Sequence, residues 1–161
     1  MKKISVLFMF SLLFLPKLQA QEHLQIKKAY DKYAKEKGSV FVQLSKDILS
    51  QGDTKINFYK SMVIEENRER RDLILDLMEA DRTVMADLSE QSFNGKVTSL
   101  IYRIAKEKEK EDGENEYVLY KNIKGKISLV YIWGEFPMNE LEQELNKLKD
   151  LFIYVKKKKK K

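Results

Sequence analysis

Lys96–Trp133, KVTSLIYRIAKEKEKEDGENEYVLYKNIKGKISLVYIW, is the stretch whose reading decides the fold. It divides into three successive strands, Val97–Ala105, Glu116–Asn122 and Lys126–Gly134. Tyr117, Leu119, Ile127, Leu129, Tyr131 and Trp133 recur at every second position, the period that puts side chains on one face of a sheet. Lys124-Gly125 separates the last two runs, where a tight hairpin needs a residue that accepts positive φ. An apolar sheet face has to be covered, so the flanking sequence is expected to supply helices.

It does so on both sides. Downstream, Pro137 and Asn139 mark a helix start, and Leu141, Leu145, Leu148, Phe152 and Val155 form an apolar stripe. Glu140, Glu142 and Glu144 fall early, where the helix dipole favours acids. Upstream, Glu66–Glu90 reads as helical, capped by Asn67, with Leu73, Leu77, Ala80, Val84 and Leu88 as its stripe and a break near Ala80–Arg82. Lys55–Ile64 alternates as a strand that Lys60 interrupts. Val40–Leu44 is a short strand, and Ser45 caps a brief turn carrying Ile48 and Leu49. Gln21–Lys37 carries Ile26, Ala29, Tyr30, Tyr33 and Ala34 at helical spacing, with Gly38 as its C-cap. Lys106–Glu114 has no apolar residue and reads as a solvated hairpin loop.

The expected fold class is therefore α+β: a roughly five-stranded antiparallel or mixed sheet with amphipathic helices packed mainly on one face. A single domain spans 21–155. Tyr30, Val42, Phe58, Leu77, Ile101, Leu119, Leu129, Tyr131 and Leu145 are the expected core positions.

The two ends read differently from the body. Lys2 and Lys3, the apolar run Ile4–Leu15 and Leu18-Gln19-Ala20 have the layout of a secretory signal peptide cleaved after Ala20. The run is too short to span a bilayer, and no membrane span is expected in the mature chain. The chain has no cysteine, which excludes a lipid-anchored N-terminus, disulfides and thiolate chemistry. The expected location is exported, periplasmic or secreted. Setting aside Lys2, Lys3, Lys17 and the terminal run from the 31 basic residues leaves 22 against 25 acidic ones. The body is thus mildly acidic despite a whole-chain net charge of +6, and nucleic-acid binding through the fold is not expected. Lys156, Lys157, Lys158, Lys159, Lys160 and Lys161 form a basic tail, read as a disordered solubilising end or as a contact for an anionic surface.

Motifs for chemistry are sparse. His23 is the only histidine, zinc-ligand clusters do not occur, and the phosphate-loop, dinucleotide and nucleophile-elbow spacings are missing. No catalytic, metal or cofactor-binding residue is assigned and no cofactor is expected. Carboxylates are abundant, which keeps an all-carboxylate hydrolase-like site open as an alternative. Asp76, Glu79 and Asp81 read as a solvated helix face, and Arg68–Arg71 as a solvated first turn in preference to a phosphate site. Tyr102, Tyr117, Tyr120, Tyr131 and Trp133 enrich the sheet in aromatics, which serve a core as well as a contact surface. If one sheet face is open, Tyr120, Val118, Val130 and Ile132 would line it.

SVFVQLSKDIL, FYKSMVIEE and LVYIWGEFPMNELEQEL together resemble the small exported domain-of-unknown-function proteins common in Bacteroidetes. The resemblance covers nearly all of the mature chain. It implies an α+β fold and export, and carries no activity and no functional residues. The function expected on all these grounds is that of a non-enzymatic envelope accessory or binding protein, with an envelope protein or glycan as its unidentified partner.

Overall fold

A computed structural model describes residues 23–105 and 113–158. The signal-peptide segment, most of the charged loop after Ala105 and Lys159–Lys161 lie outside these residues. The elements in chain order are α1 (Lys27–Tyr33), β1 (Val40–Leu44), α2 (Lys46–Leu49), β2 (Ile56–Glu65), α3 (Arg68–Ala80), β3 (Met85–Phe93), β4 (Lys96–Ile104), β5 (Asn115–Ile123), β6 (Lys126–Gly134) and α4 (Leu141–Lys158). Short 3-10 turns at 82–84 and 138–140 precede β3 and α4. All six strands join one antiparallel sheet in the order β1-β2-β6-β5-β4-β3.

Two hairpins set the centre and one end of this sheet. Asn94-Gly95 joins β3 to β4 and Lys124-Gly125 joins β5 to β6, and all four residues have φ between 50° and 72°. That pair of positive φ values belongs to the two-residue hairpin whose twist matches the strands it joins.

The fold is α+β, with two differences from the sequence expectation. The sheet has six strands where about five were expected, because Met85–Glu90 is not a continuation of α3 but the start of β3. The helices also cover both faces, not mainly one. On the first face, α1 and α3 bring Ile26, Tyr30, Tyr33, Ile74 and Met78 onto Met62, Leu100, Tyr102, Val118, Tyr120, Leu129 and Tyr131. On the second, α2 and α4 bring Leu49, Leu141, Leu148 and Leu151, together with Phe136, onto Ile56, Tyr117, Leu119 and Ile132.

The register explains why one face was expected. Ile123 pairs with Lys126 across the two-residue turn, so each odd-numbered residue of β5 stands opposite an even-numbered residue of β6. Tyr117 and Leu119 therefore share the second face with Ile132 and Val130, whereas Ile127, Leu129, Tyr131 and Trp133 belong to the first. Both faces are apolar, and both need a helical layer. Of the expected core positions, Tyr30, Leu119, Leu129 and Tyr131 are buried, and Val42, Phe58, Leu77, Ile101 and Leu145 are half-buried.

Two buried carboxylates fasten the covering layers. Asp81, just past α3, accepts hydrogen bonds from the backbone N–H groups of Gln25 (2.8 Å) and Ile26 (3.0 Å), capping α1 from across the chain. Glu144, in the first turn of α4, accepts from Lys55 N (2.7 Å), Thr54 Oγ1 (3.0 Å) and Lys147 Nζ (2.9 Å). This ties α4 to the start of β2.

Candidate binding surface

Among the described residues, α2 and α4 cover the second face only in part. The register places its residues in rows across the sheet. The row Leu44–Tyr59–Ile132–Tyr117 and the inner residue Leu119 lie in or against the core under α2 and α4. The outer row is Val40, Val63, Ser128, Lys121, Ser99 and Gln91, and none of these belongs to either core cluster. Val42, Ser61 and Val130 border it. At the β1 corner this surface is mainly apolar, with Val40 59% exposed and Val42, Val63 and Val130 half-buried. Toward β3 it turns polar through Ser99, Ser89 and Gln91.

The corner ends in a free strand edge. β1 pairs with β2 from Val40↔Val63 to Leu44↔Tyr59, and no described strand pairs with its outer side. On the first face of the same strand, Phe41 is 40% exposed and meets Tyr30 edge-on, with ring centroids 6.4 Å apart. Lys60 Nζ lies 4.5 Å from the Tyr30 ring centroid and 5.9 Å from that of Phe41. The lysine that interrupts the apolar alternation of β2 is thus held against aromatic faces. Its burial beneath them lowers its pKa.

The residues expected to line one open face do not sit together. Val118 and Tyr120 are fully buried on the first face beneath α1 and α3, and Ile132 is fully buried on the second. Val130 alone borders open surface. The aromatic residues of the sheet are mostly core: Tyr102, Tyr117, Tyr120 and Tyr131 are all buried, and Trp133 is half-buried. α4 extends through Lys156–Lys158, so half of the lysine run stands on helical backbone. The arginines of the RERR segment are paired with acids: Arg68 with Asp72, Arg70 with Glu36 at 2.6 Å, and Arg71 with Glu66 and Asp72. Pairing of this kind competes with an anion for the same donors.

His23 lies beside the strand residue Glu116. Asp81 holds the segment that follows His23, and the His23 Nε2 lies 3.9 Å from Glu116 Oε2. Glu116 Oε1 in turn accepts from the buried Tyr131 hydroxyl at 3.0 Å. Desolvation first, and then the Glu116 charge, raise the Tyr131 pKa far out of the physiological range. The phenol is therefore a fixed donor and not an acid at neutral pH. On the second face Tyr117 donates to the Phe136 carbonyl and stacks on its ring at 5.1 Å, its pKa pushed up to about 12, chiefly by burial. Nothing in the sequence pattern marked Glu116 or Phe136 for these contacts, because both depend on which strands become neighbours.

A cleft of about 250 Å³ lies between α3 and the β3–β4 hairpin, floored by Met78 and Leu100, with the Arg82–Glu79 ion pair at its lip. No group of acids or histidine among the described residues has the arrangement of a metal site. No helix among them is long and apolar enough to cross a membrane.

Neither curated proteins nor solved structures yield a match to the chain. A protein-family model does match, over residues 13–145, and by that match the chain belongs to a family of unknown function, DUF6108.

Proposed function

We propose that this chain is an exported, non-enzymatic binding protein of the bacterial envelope, working through the β1 corner of the second sheet face. The observation that carries the reading is the row Val40–Val63–Ser128, which lies outside both core clusters of the described residues, with its border Val42–Ser61–Val130, a valine-rich surface at one corner of the sheet. The use of the buried acids supports a non-catalytic role. Asp81 and Glu144 serve opposite faces, and each is engaged by backbone N–H donors, two at Asp81 and one at Glu144. The start of the sequence supports export.

The test uses residues 21–161 and the same chain ending at 155, passed over native envelope extract. Retention of a specific protein or glycan by both chains, abolished by a Val63→Lys/Val130→Lys double variant that still melts cooperatively, is the expected result. Retention that needs Lys156–Lys161 and vanishes at raised salt would instead make the protein an anionic-surface binder. Retention indifferent to the face variant would move the search to carboxylate pairs.

A further inference from the structure

We propose that two copies of this chain associate through β1, as an antiparallel pair centred on Val42. The proposal rests on the reading of the β1 corner as the working surface, and it names what occupies the corner's free edge. β1 reads VFVQL, with no charge, no proline and no bulge, and its five residues pair with β2 in unbroken register. An edge of this kind presents unpaired backbone donors and acceptors with nothing to deter another strand.

A second copy fits this edge by symmetry. A two-fold axis normal to the sheet through Val42 sets Val42 against its own copy, Val40 against Leu44 and Phe41 against Gln43. Each pair is apolar or neutral, so no like charges meet. Residues opposed in an antiparallel pair share a face, so the two open corners would lie side by side on one continuous sheet. Five residues a side is far below the ~20–30 of a standard interface, so the association is expected to be micromolar and not tighter.

Sedimentation velocity of residues 21–161, from low to high micromolar, tests this. The expected result is a monomer–dimer equilibrium. Val42→Lys and Val42→Glu, measured singly, should each weaken it by at least about tenfold, since like charges meet at the axis. Mixing the two variants should restore the dimer, because an ammonium on one copy then faces a carboxylate on the other; the restoration also shows that both variants fold. As a check independent of charge, Val42→Cys in this cysteine-free chain should form a disulfide-linked dimer under mild oxidation, and Glu90→Cys on β3 should not. A wild-type chain that stays monomeric throughout overturns the proposal. So does a dimer that both charged variants leave intact, or a mixture that stays monomeric while Val42→Cys fails to cross-link. Loss of envelope retention with the dimer preserved would count against the proposed function alone.

Discussion

β1 and β3 occupy equivalent places at the two ends of one sheet, yet their outer edges are built on different rules. β1 is five residues in unbroken register, without a charge. β3 is nine residues, and its pairing with β4 shifts register twice, between Ala86 and Ser89 and between Gln91 and Ser92. At the first shift Asp87 adopts φ 51° and accepts from Arg103 Nε at 2.8 Å, which pins the irregularity. Glu90 adds a charge further along. Bulges and charges are the usual means of keeping an edge strand from pairing with a stranger. An end so equipped opposite one with no such device teaches that the open end is the one available for contact.

The comparison is most severely tested by loosening the β3 end and watching the β1 end. Asp81 is buried and holds two backbone N–H groups of the segment before α1, so Asp81→Ala strands both donors beside the α3–β3 junction. A loss of about 2–4 kcal/mol in urea unfolding is expected, with part of it recovered in Asp81→Asn. Association of the chain under native conditions should not change, because β1 is held in the sheet by its pairing with β2, in which Asp81 takes no part.

A smaller effect, and one that depends on pH, is expected at Glu144, which holds the β1 side. Burial alone would raise its pKa, but hydrogen bonds from Lys147, Lys55 N–H and Thr54 outweigh burial and lower it below the usual value of 4.5. With the folded pKa depressed, its contribution is fully present above the unfolded value and is lost as pH falls through the folded one. Glu144→Gln should cost about 1.5–3 kcal/mol at neutral pH, as for a hydrogen bond to a charged group. It should also flatten the decline in stability below pH 4.5, read by urea melts at successive pH values. An unchanged acid slope would mean that Glu144 is not the group responsible.

Much of this fold was legible in the chain because its strands obey simple alternation. β4, β5 and β6 were bounded to within a residue or two, and Lys124-Gly125 was recognisable as their turn. β3 was not, and the bulge is the reason. An extra residue at Asp87 breaks the period of two, leaving Val84 and Leu88 at a spacing of four that continues the helical stripe of Leu73, Leu77 and Ala80. The two-faced sheet was hidden for another reason. Alternation within β5 and within β6 is plain, but which positions share a face depends on the parity of their register, and that is fixed by the turn. The site was legible only in part. Val130 was among the expected residues, but that Val40 and Val63 lie outside both described core clusters depends on how the helices sit on the sheet, which no local pattern encodes.

The smallest expected effect bears most directly on the two edges. Asp87 tolerates positive φ better than most residues, whereas a β-branched side chain does not, so Asp87→Val should cost about 1–2 kcal/mol and Asp87→Gly much less. Deleting Asp87 altogether goes further. It would let Leu88 follow Ala86 directly, opposite Tyr102 next to the Ala86↔Arg103 pair, and so straighten the first half of β3. The two ends of the sheet would then differ mainly in Glu90 and in the second register shift. If the bulge is what keeps β3 unpaired, the deletion variant should form assemblies larger than the parent chain in sedimentation, because a second edge becomes available and end-to-end growth no longer closes. If its assembly state matches the parent, the guard is Glu90 or the second register shift, and release of the edge by Glu90→Val in the deletion background assigns it to Glu90.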